Sequence, residues 1–173
     1  MRTLFEFDFK NYKEGGTVGH RDSVRAVIIR DGKIAMTHSL AFDYYKLPGG
    51  GIEIGETHKQ TLIREVLEET GLMVKPETIR EFGQVIRKEK GLHDDLFIQN
   101  NYYYFCQVQE EIKSQRLDEL EEVEDFVLEW VTPEQVIDVN ENHKHPTKED
   151  TIAQHMIERE TRVMKMLLDE GIV

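Results

Sequence analysis

The chain has 173 residues and a formal net charge of −12, from 22 Lys and Arg against 34 Asp and Glu. Its 39% hydrophobic residues come in clustered blocks, which excludes disorder as the dominant state, and the length favours a single domain over residues 1–173. The acidic charge argues against a large nucleic acid as partner, because a protein grips a duplex through basic surface. No stretch is apolar enough to span a membrane, and acids among the first residues argue against a signal peptide. The lone cysteine, Cys106, fits a reducing compartment, so a cytoplasmic location is expected.

The first part of the chain predicts strands. Phenylalanines alternate with charged residues at the start, which indicates a half-buried strand over residues 3–10. An apolar strand over residues 24–29 then reaches Asp31-Gly32, a dipeptide typical of a two-residue hairpin turn. Residues 34–36 are expected to return as the partner strand.

A glycine-rich loop over residues 47–55 precedes the first predicted helix. Thr57 and Gln60 have the spacing of a capping box, which marks a helix start. Gly71 supplies the left-handed residue that commonly ends a helix. A helix over residues 57–70 is therefore predicted.

The second part of the chain predicts more strands, an acidic loop and two helices. The strands are expected at residues 72–74, 82–87, 96–108 and 126–131. The acid-rich residues 110–125 indicate a loop, Pro133 opens a short helix, and residues 147–169 form a longer one. Strands interleaved with helices predict an α/β fold with a mixed sheet.

Three carboxylates share one face of the first helix. At ~100° per residue, Glu65, Glu68 and Glu69 fall within an arc of ~100°, opposite an apolar stripe. Such acids repel one another, and a bound cation would reverse the sign of their interaction. Without a nearby Cys or His pair, they suit Mg²⁺ or Mn²⁺ rather than Zn²⁺. An acidic helix face alone is more often a solvated surface, so the flanking residues decide between the two interpretations.

The flanking residues resemble a known family. The chain matches all nine defined positions of the Nudix box, namely Gly50, Glu56, Arg64, Glu65, Val66, Glu68, Glu69, Gly71 and Leu72. Residues 47–50 before the box and residues 129–134 near the last strand are also similar to the family. The resemblance implies a Nudix-like α/β/α sandwich with a mixed β-sheet. It also implies a metal-dependent hydrolase that cleaves a diphosphate bond in a nucleoside diphosphate linked to another group.

The resemblance assigns roles to the box residues. Glu68 and Glu69 would ligate Mg²⁺ or Mn²⁺, and Glu65 would be a further ligand or the general base. The carbonyl of Gly50 is a candidate ligand. Arg64 would hold the loop against the helix through an ion pair with the acid at position 56, and it can also reach Glu68.

Acids outside the box are candidates for an additional ligand or base. In several family members, a loop acid just before the last strand takes that part. Here Glu122 is the candidate metal ligand, with Glu121 and Glu124 as alternatives, and a solvated charged loop is the competing interpretation. Residues 93–95 are a weaker candidate for the same part.

Three residues are candidates for substrate contacts. Arg25 precedes the hairpin turn and is either a phosphate contact or a solvent-facing edge residue. Tyr102 or Tyr104 could stack on a nucleobase, since alternate strand residues share a face. The competing interpretation for the tyrosines is sheet core.

The substrate is expected to be a small nucleotide. The Pro or Tyr that marks ADP-ribose and dinucleoside polyphosphate subgroups ~15–18 residues past the box is absent from residues 86–90. Elimination favours a nucleoside triphosphate or a related small nucleotide. An ADP-ribose or nucleotide-sugar pyrophosphatase is the first alternative.

Other members of the family define further alternatives. A non-catalytic nucleotide sensor is the second alternative, although sensors commonly lose box acids that this chain keeps. An isoprenoid diphosphate isomerase would need a cysteine near the loop, and an RNA-cap hydrolase would need basic surface. Family members are often dimers, so the resemblance leaves a homodimer open.

Overall fold

The structure, a computed structural model, describes residues 1–143 and 151–173. Within these residues the elements are β1 (Thr3–Asp8), β2 (Val18–Val27), β3 (Ile29–Arg30), β4 (Lys33–Ser39), β5 (Tyr44–Lys46), α1 (His58–Thr70), β6 (Leu72–Val74), β7 (Arg80–Glu89), β8 (Leu96–Phe105), β9 (Val108–Ile112), α2 (Glu119–Val123), β10 (Phe126–Val131), α3 (Pro133–Asn142) and α4 (Thr151–Asp169).

The first sheet has the strand order β1-β7-β8-β2 and is mixed, as predicted. β1 runs parallel to β7, β8 runs parallel to β2, and β7 is antiparallel to β8. On one face, Leu62 of α1 packs in a core cluster with Val24. On the other face, Met164 of α4 packs with Val27 and Tyr103. The sheet is therefore covered by α1 on one side and α4 on the other, which is an α/β/α arrangement.

A second, antiparallel sheet leads the chain into the glycine-rich loop. Its strands are ordered β10-β4-β3, and β5 also pairs with β4. The predicted hairpin turn is present, because Asp31 and Gly32 both have positive φ angles of 51° and 71°. β5 ends at Lys46, directly before the loop, so this sheet fixes where the loop begins.

Two predictions for the later part of the chain were wrong in detail. The run over residues 96–108 forms two strands, β8 and β9, because the chain leaves β2 and β7 after Phe105 and Val108 pairs with Val74 of β6. The acidic residues 110–125 are not all loop, because they include the end of β9 and the helix α2. The side chain of Asp118 accepts from Glu121 N at 2.9 Å, and that of Glu121 accepts from Asp118 N at 3.0 Å. This reciprocal capping box explains the helix.

The first strand is shorter than predicted. β1 stops at Asp8 because Lys10 has a φ of 53° and donates its N–H to the Asp8 side chain at 3.2 Å. The described part of α4 runs from Thr151 to Asp169 and ends where the sequence predicts, and residues 147–150 of the predicted helix lie outside the described residues. Across the described ranges, no helix combines the length and apolarity needed to cross a membrane.

Candidate active site

The glycine-rich loop before α1 lies along the edge strand β2. The Val24 N–H donates to the Gly50 carbonyl at 3.0 Å, and the Ala26 N–H donates to the Pro48 carbonyl at 2.9 Å. Gly49 has a φ of 140°, and a Cβ there would lie 2.2 Å from the carbonyl oxygen of Val24. Only glycine therefore lets the loop approach β2 this closely.

The helix α1 begins and ends as the sequence predicts. Thr57 and Gln60 form both hydrogen bonds of the capping box, and Gly71 ends the helix with a φ of 73°. Leu62 and Val66 are fully buried against the sheet. The acidic face of the helix is therefore turned toward the loop.

Arg64 connects three carboxylates. Its Nε and Nη2 bind the two oxygens of Glu56 at 2.8 and 2.7 Å, and its Nη1 reaches Glu65 at 2.8 Å and Glu68 at 3.2 Å. The hydrogen bonds from Arg64 lower the pKa of Glu56 to about 2. Both contacts predicted for Arg64 are present, and they tie the loop to the helix while orienting two of the box acids.

Glu65 and Glu69 face the loop at close range. Glu69 is 2% exposed and accepts from Lys46 Nζ at 3.0 Å and from Gly49 N at 2.8 Å. Both carboxylate oxygens of Glu65 lie 2.4 Å from where a Cβ on Gly50 would be. Burial, followed by the charge of Glu69, raises the pKa of Glu65. The two acids therefore share one weakly solvated region beside the loop.

Glu121, from α2, joins these acids. Its Oε1 lies 3.8 Å from the Nζ of Lys46, which also binds Glu69. Burial, followed by the charge of Glu69, raises the pKa of Glu121 to about 7. Among the three alternatives in the acidic segment, the structure brings Glu121 to the box acids.

The other acids outside the box lie elsewhere. Glu122, the candidate metal ligand, is exposed on the solvent side of α2. Glu124 accepts hydrogen bonds at 3.0 Å from side chains of β4 and β5, which gives it a structural part. Asp95, from the weaker candidate segment, accepts from Thr17 N at 2.9 Å and closes the turn before β2.

Lys46 is a residue of the site that the sequence reasoning missed. It is 8% exposed, and its Nζ lies 4.2 Å from the centre of the Phe126 ring as well as next to Glu69 and Glu121. The available signal was its position directly before Leu47, at the start of the loop. Its ammonium group balances the charge of the acids.

The tyrosines predicted as candidate stacking residues contact the start of α1. Tyr104 is 8% exposed and its hydroxyl lies 2.7 Å from His58 Nδ1, while the Tyr102 ring lies 4.3 Å from the His58 ring. Both side chains therefore pack as part of the sheet and helix. Arg25 is 9% exposed, so the interpretation of it as a solvent-facing edge residue was wrong. Its side chain lines a cavity beneath α4.

The comparison with protein families identifies this arrangement. The family model described as the NUDIX domain matches residues 19–154. The chain belongs to the Nudix family. The prediction from the box is therefore confirmed, and the match extends well beyond it to include α2, β10 and α3.

Two relatives are similar in sequence to part of the chain. A protein named MutT4 from Mycobacterium tuberculosis (strain CDC 1551 / Oshkosh) is 42% identical over 72 residues, which are 42% of this chain and 27% of that protein. An RNA pyrophosphohydrolase from Acinetobacter baylyi (strain ATCC 33305 / BD413 / ADP1) is 35% identical over 74 residues, which are 42% of this chain and 41% of that protein. The chain thus spans less than half the length of these relatives.

A solved structure agrees with the fold. A NUDIX hydrolase from Nitrosomonas europaea has a TM-score of 0.54 and 20% identity, covering 83% of this chain and 88% of that one. The predicted α/β fold with a mixed sheet is confirmed.

The carboxylate oxygens of the box acids and Glu121 are suitable ligands for a hard divalent ion, but they do not form a complete coordination site in this structure. Within the described ranges, no group of three or more His, Cys, Asp or Glu is positioned to hold a metal. Two of the acids are instead paired with cations, because Lys46 is bound to Glu69 and Arg64 is bound to Glu68. Nudix hydrolases generally use divalent metals, and an oxygen-only donor set whose members repel one another fits such an ion.

Proposed function

We propose that the chain is a Nudix-type pyrophosphohydrolase that cleaves a phosphoanhydride bond in a small nucleotide with Mg²⁺ or Mn²⁺. The observation that carries this proposal is that Glu65 and Glu69 both lie against the glycine loop, while Glu69 and Glu121 share the ammonium group of Lys46. Burial, followed by the charge of Glu69, raises the pKa of Glu65 and of Glu121, which is the behaviour of acids that lack a full complement of positive charge.

These contacts support an assignment of the metal-holding residues. Glu69 and Glu121 are the inner acids, Glu68 lies at the rim with a 39% exposed side chain, and the Gly50 carbonyl is a further oxygen on the loop. Glu121 replaces the exposed Glu122 in the set expected from the sequence. A bound divalent ion would neutralise substrate phosphate oxygens and lower the pKa of a bound water.

Glu65 is assigned as the general base. Arg64 binds its Oε1 at 2.8 Å and thereby fixes the carboxylate beside Gly50, so Oε2 is the oxygen that accepts a proton from the attacking water. Burial raises its pKa and makes it a better proton acceptor than a solvated carboxylate. Arg64 is a positioning residue, because its contacts are to protein carboxylates.

The proposed substrate is a nucleoside triphosphate or a related small nucleotide. The relative named RNA pyrophosphohydrolase supports cleavage of a pyrophosphate bond, and the retained box acids weigh against a non-catalytic sensor. ADP-ribose or a nucleotide sugar is the alternative substrate. The homodimer and the cytoplasmic location stay predictions.

A substrate panel tests the proposal. Nucleoside triphosphates, ADP-ribose, a nucleotide sugar and a 5′-triphosphorylated RNA are each incubated with Mg²⁺, with Mn²⁺ and with chelator, and the products are identified by mass. Metal-dependent release of pyrophosphate or phosphate from a nucleotide is expected, with loss of turnover in Glu69→Gln and wild-type turnover in the exposed control Glu122→Gln. Cleavage that persists in chelator, or no cleavage of any compound, contradicts the proposal.

A further inference from the structure

A cavity of about 180 Å³ lies between the first sheet and α4, on the face opposite α1. Four arginines line it, and it is called the arginine cavity here. They are Arg21 and Arg25 of β2, Arg87 of β7 and Arg159 of α4. Four guanidinium groups around so small a space are unusual in a chain of net charge −12.

Strand register assembles the cavity. Gln99 of β8 pairs with Arg87 of β7 on one side and with Arg21 of β2 on the other. Arg25 lies four residues after Arg21, so it points to the same face of the sheet. Asn101, two residues after Gln99, completes the floor of the cavity.

Several donors in the cavity have no acceptor. The Nε atoms of Arg25 and Arg87 and the Nδ2 of Asn101 are buried and make no hydrogen bond within the described residues. The three residues are 9%, 9% and 1% exposed. A buried donor without a partner is unfavourable, and an acceptor bound in the cavity would relieve that cost.

The charges in the cavity are also out of balance. Arg159 is bound to Glu160 at 2.7 Å, and Arg87 lies 3.4 Å from Glu89. In the part of the chain that the structure describes, no carboxylate lies within ion-pair distance of Arg21 or Arg25. Arg21 is exposed to solvent, whereas Arg25 is buried without a carboxylate of the described residues at ion-pair distance, which leaves room for an anion beside it.

The cavity adjoins the glycine loop. A Cβ on Gly49 would lie 3.0 Å from the Cα of Arg25, and a Cβ on Gly51 would lie 3.6 Å from a guanidinium nitrogen of Arg21. A molecule held at the box acids could therefore extend along β2 toward the arginines. The volume is below the about 300–1,000 Å³ of pockets that enclose drug-sized ligands, so it suits a phosphate group rather than a whole nucleoside.

We propose that the arginine cavity binds an ionised phosphate of the substrate other than those flanking the cleaved bond. Guanidinium groups recognise phosphate oxygens through paired, charge-assisted hydrogen bonds, and the unpaired donors of Arg25, Arg87 and Asn101 supply them. The substrate class is therefore nucleotides with three or more phosphates or with an additional phosphate ester. Nucleotide sugars, whose second group is uncharged, are disfavoured. This assignment rests on the proposed hydrolase function.

Binding of inorganic tripolyphosphate in chelator tests the cavity without requiring turnover. Titration calorimetry is expected to give binding to the wild-type protein that weakens about tenfold or more in Arg87→Gln and in Arg25→Gln, since each removes a charge-assisted donor. Arg87→Lys keeps the charge but lacks the planar guanidinium group. Its affinity for tripolyphosphate is expected to lie between those of the wild type and of Arg87→Gln. Arg80→Gln, an exposed arginine on the same strand as Arg87, is the matched control and should bind like wild type. Thermal unfolding checks that each variant is folded.

Two results overturn the proposal. One is no binding of tripolyphosphate by the wild-type protein at millimolar concentration, and the other is equal binding in Arg87→Gln and Arg80→Gln. A kinetic arm then tests the substrate class, because Arg87→Gln should raise KM for a nucleoside triphosphate about tenfold while leaving a nucleotide sugar unchanged. An equal change for both substrates contradicts the class. Phosphate binding without any hydrolysis would refute the hydrolase function alone.

Discussion

The Nζ of Lys46 lies 3.0 Å from Oε1 of Glu69, and the two residues are only 8% and 2% exposed. Glu121 lies 3.8 Å from the same nitrogen. Without a cation, two acids in this weakly solvated region would repel each other. Lys46 therefore offsets the repulsion between Glu69 and Glu121 when no metal is bound. A divalent ion bound there would share or replace this stabilisation.

Replacement of Lys46 by methionine should make folding depend on metal. In chelator, Lys46→Met is expected to lose about 3–5 kcal/mol of unfolding free energy, because Glu69 keeps a buried charge without its partner. Mg²⁺ or Mn²⁺ should recover part of this loss and stabilise the variant more than the wild type. Chemical denaturation with and without metal measures both effects. The exposed Lys33→Met on β4 is the control, and an equal loss in metal and in chelator would be inconsistent with this view.

Two adjacent glycines should respond differently to alanine. A Cβ on Gly49 would meet backbone, at 2.2 Å from the Val24 carbonyl oxygen, with a φ of 140°. The three atoms nearest to a Cβ on Gly50 all belong to the carboxylate of Glu65, at 2.4–2.5 Å, and that side chain can move. Gly49→Ala is therefore expected to lose about 1–3 kcal/mol of stability. Gly50→Ala should unfold near the wild-type temperature but lose about 10²-fold in kcat, because Glu65 is displaced. A Gly50→Ala enzyme with wild-type kcat would remove Glu65 from the chemistry.

Glu121 should make stability depend on pH in a defined direction. Its pKa is raised from the ordinary 4.5 to about 7, so the folded protein holds this proton more tightly than the unfolded chain does. The stabilisation that comes from this tighter proton binding by Glu121 is fully present below pH 4.5 and is lost as the pH rises through about 7. Glu121→Gln, which cannot ionise, should thus be more stable than wild type above neutral pH and similar to it in acid. Denaturation in chelator across this range measures the difference. Glu122→Gln should follow the wild type, and a gain in both variants would point to general surface charge instead.

The local features of the site were predictable because their signals lie within a few residues of each other. The capping box of Thr57 and Gln60, the left-handed Gly71 and the turn at Asp31-Gly32 all appear where the sequence places them. The helix α2 had a signal of the same kind in Asp118 and Glu121, and the density of acids around it concealed that signal.

The remaining features depend on the tertiary fold. Lys46 reaches the acids only because β5 pairs with β4, and Glu121 is selected over Glu122 only by the side of α2 that packs inward. The arginine cavity depends on the strand order β1-β7-β8-β2, which brings Arg87 and Arg21 to either side of Gln99. No spacing along the chain encodes that register.

The separate parts assigned to Glu69 and Glu65 should be visible in kinetics. In Glu69→Gln the side-chain oxygen can still accept from the Gly49 N–H, so the fold should remain, but the lost charge weakens metal binding. Turnover should fall by orders of magnitude at low metal concentration and recover partly as Mg²⁺ or Mn²⁺ is raised. Glu65→Gln should fall by about 10²–10⁴-fold and stay low at every metal concentration, because a proton acceptor is missing. Metal titrations of kcat in both variants measure the contrast. Recovery of Glu65→Gln by metal would make Glu65 a ligand rather than the base, and full activity of Glu69→Gln would place the metal elsewhere.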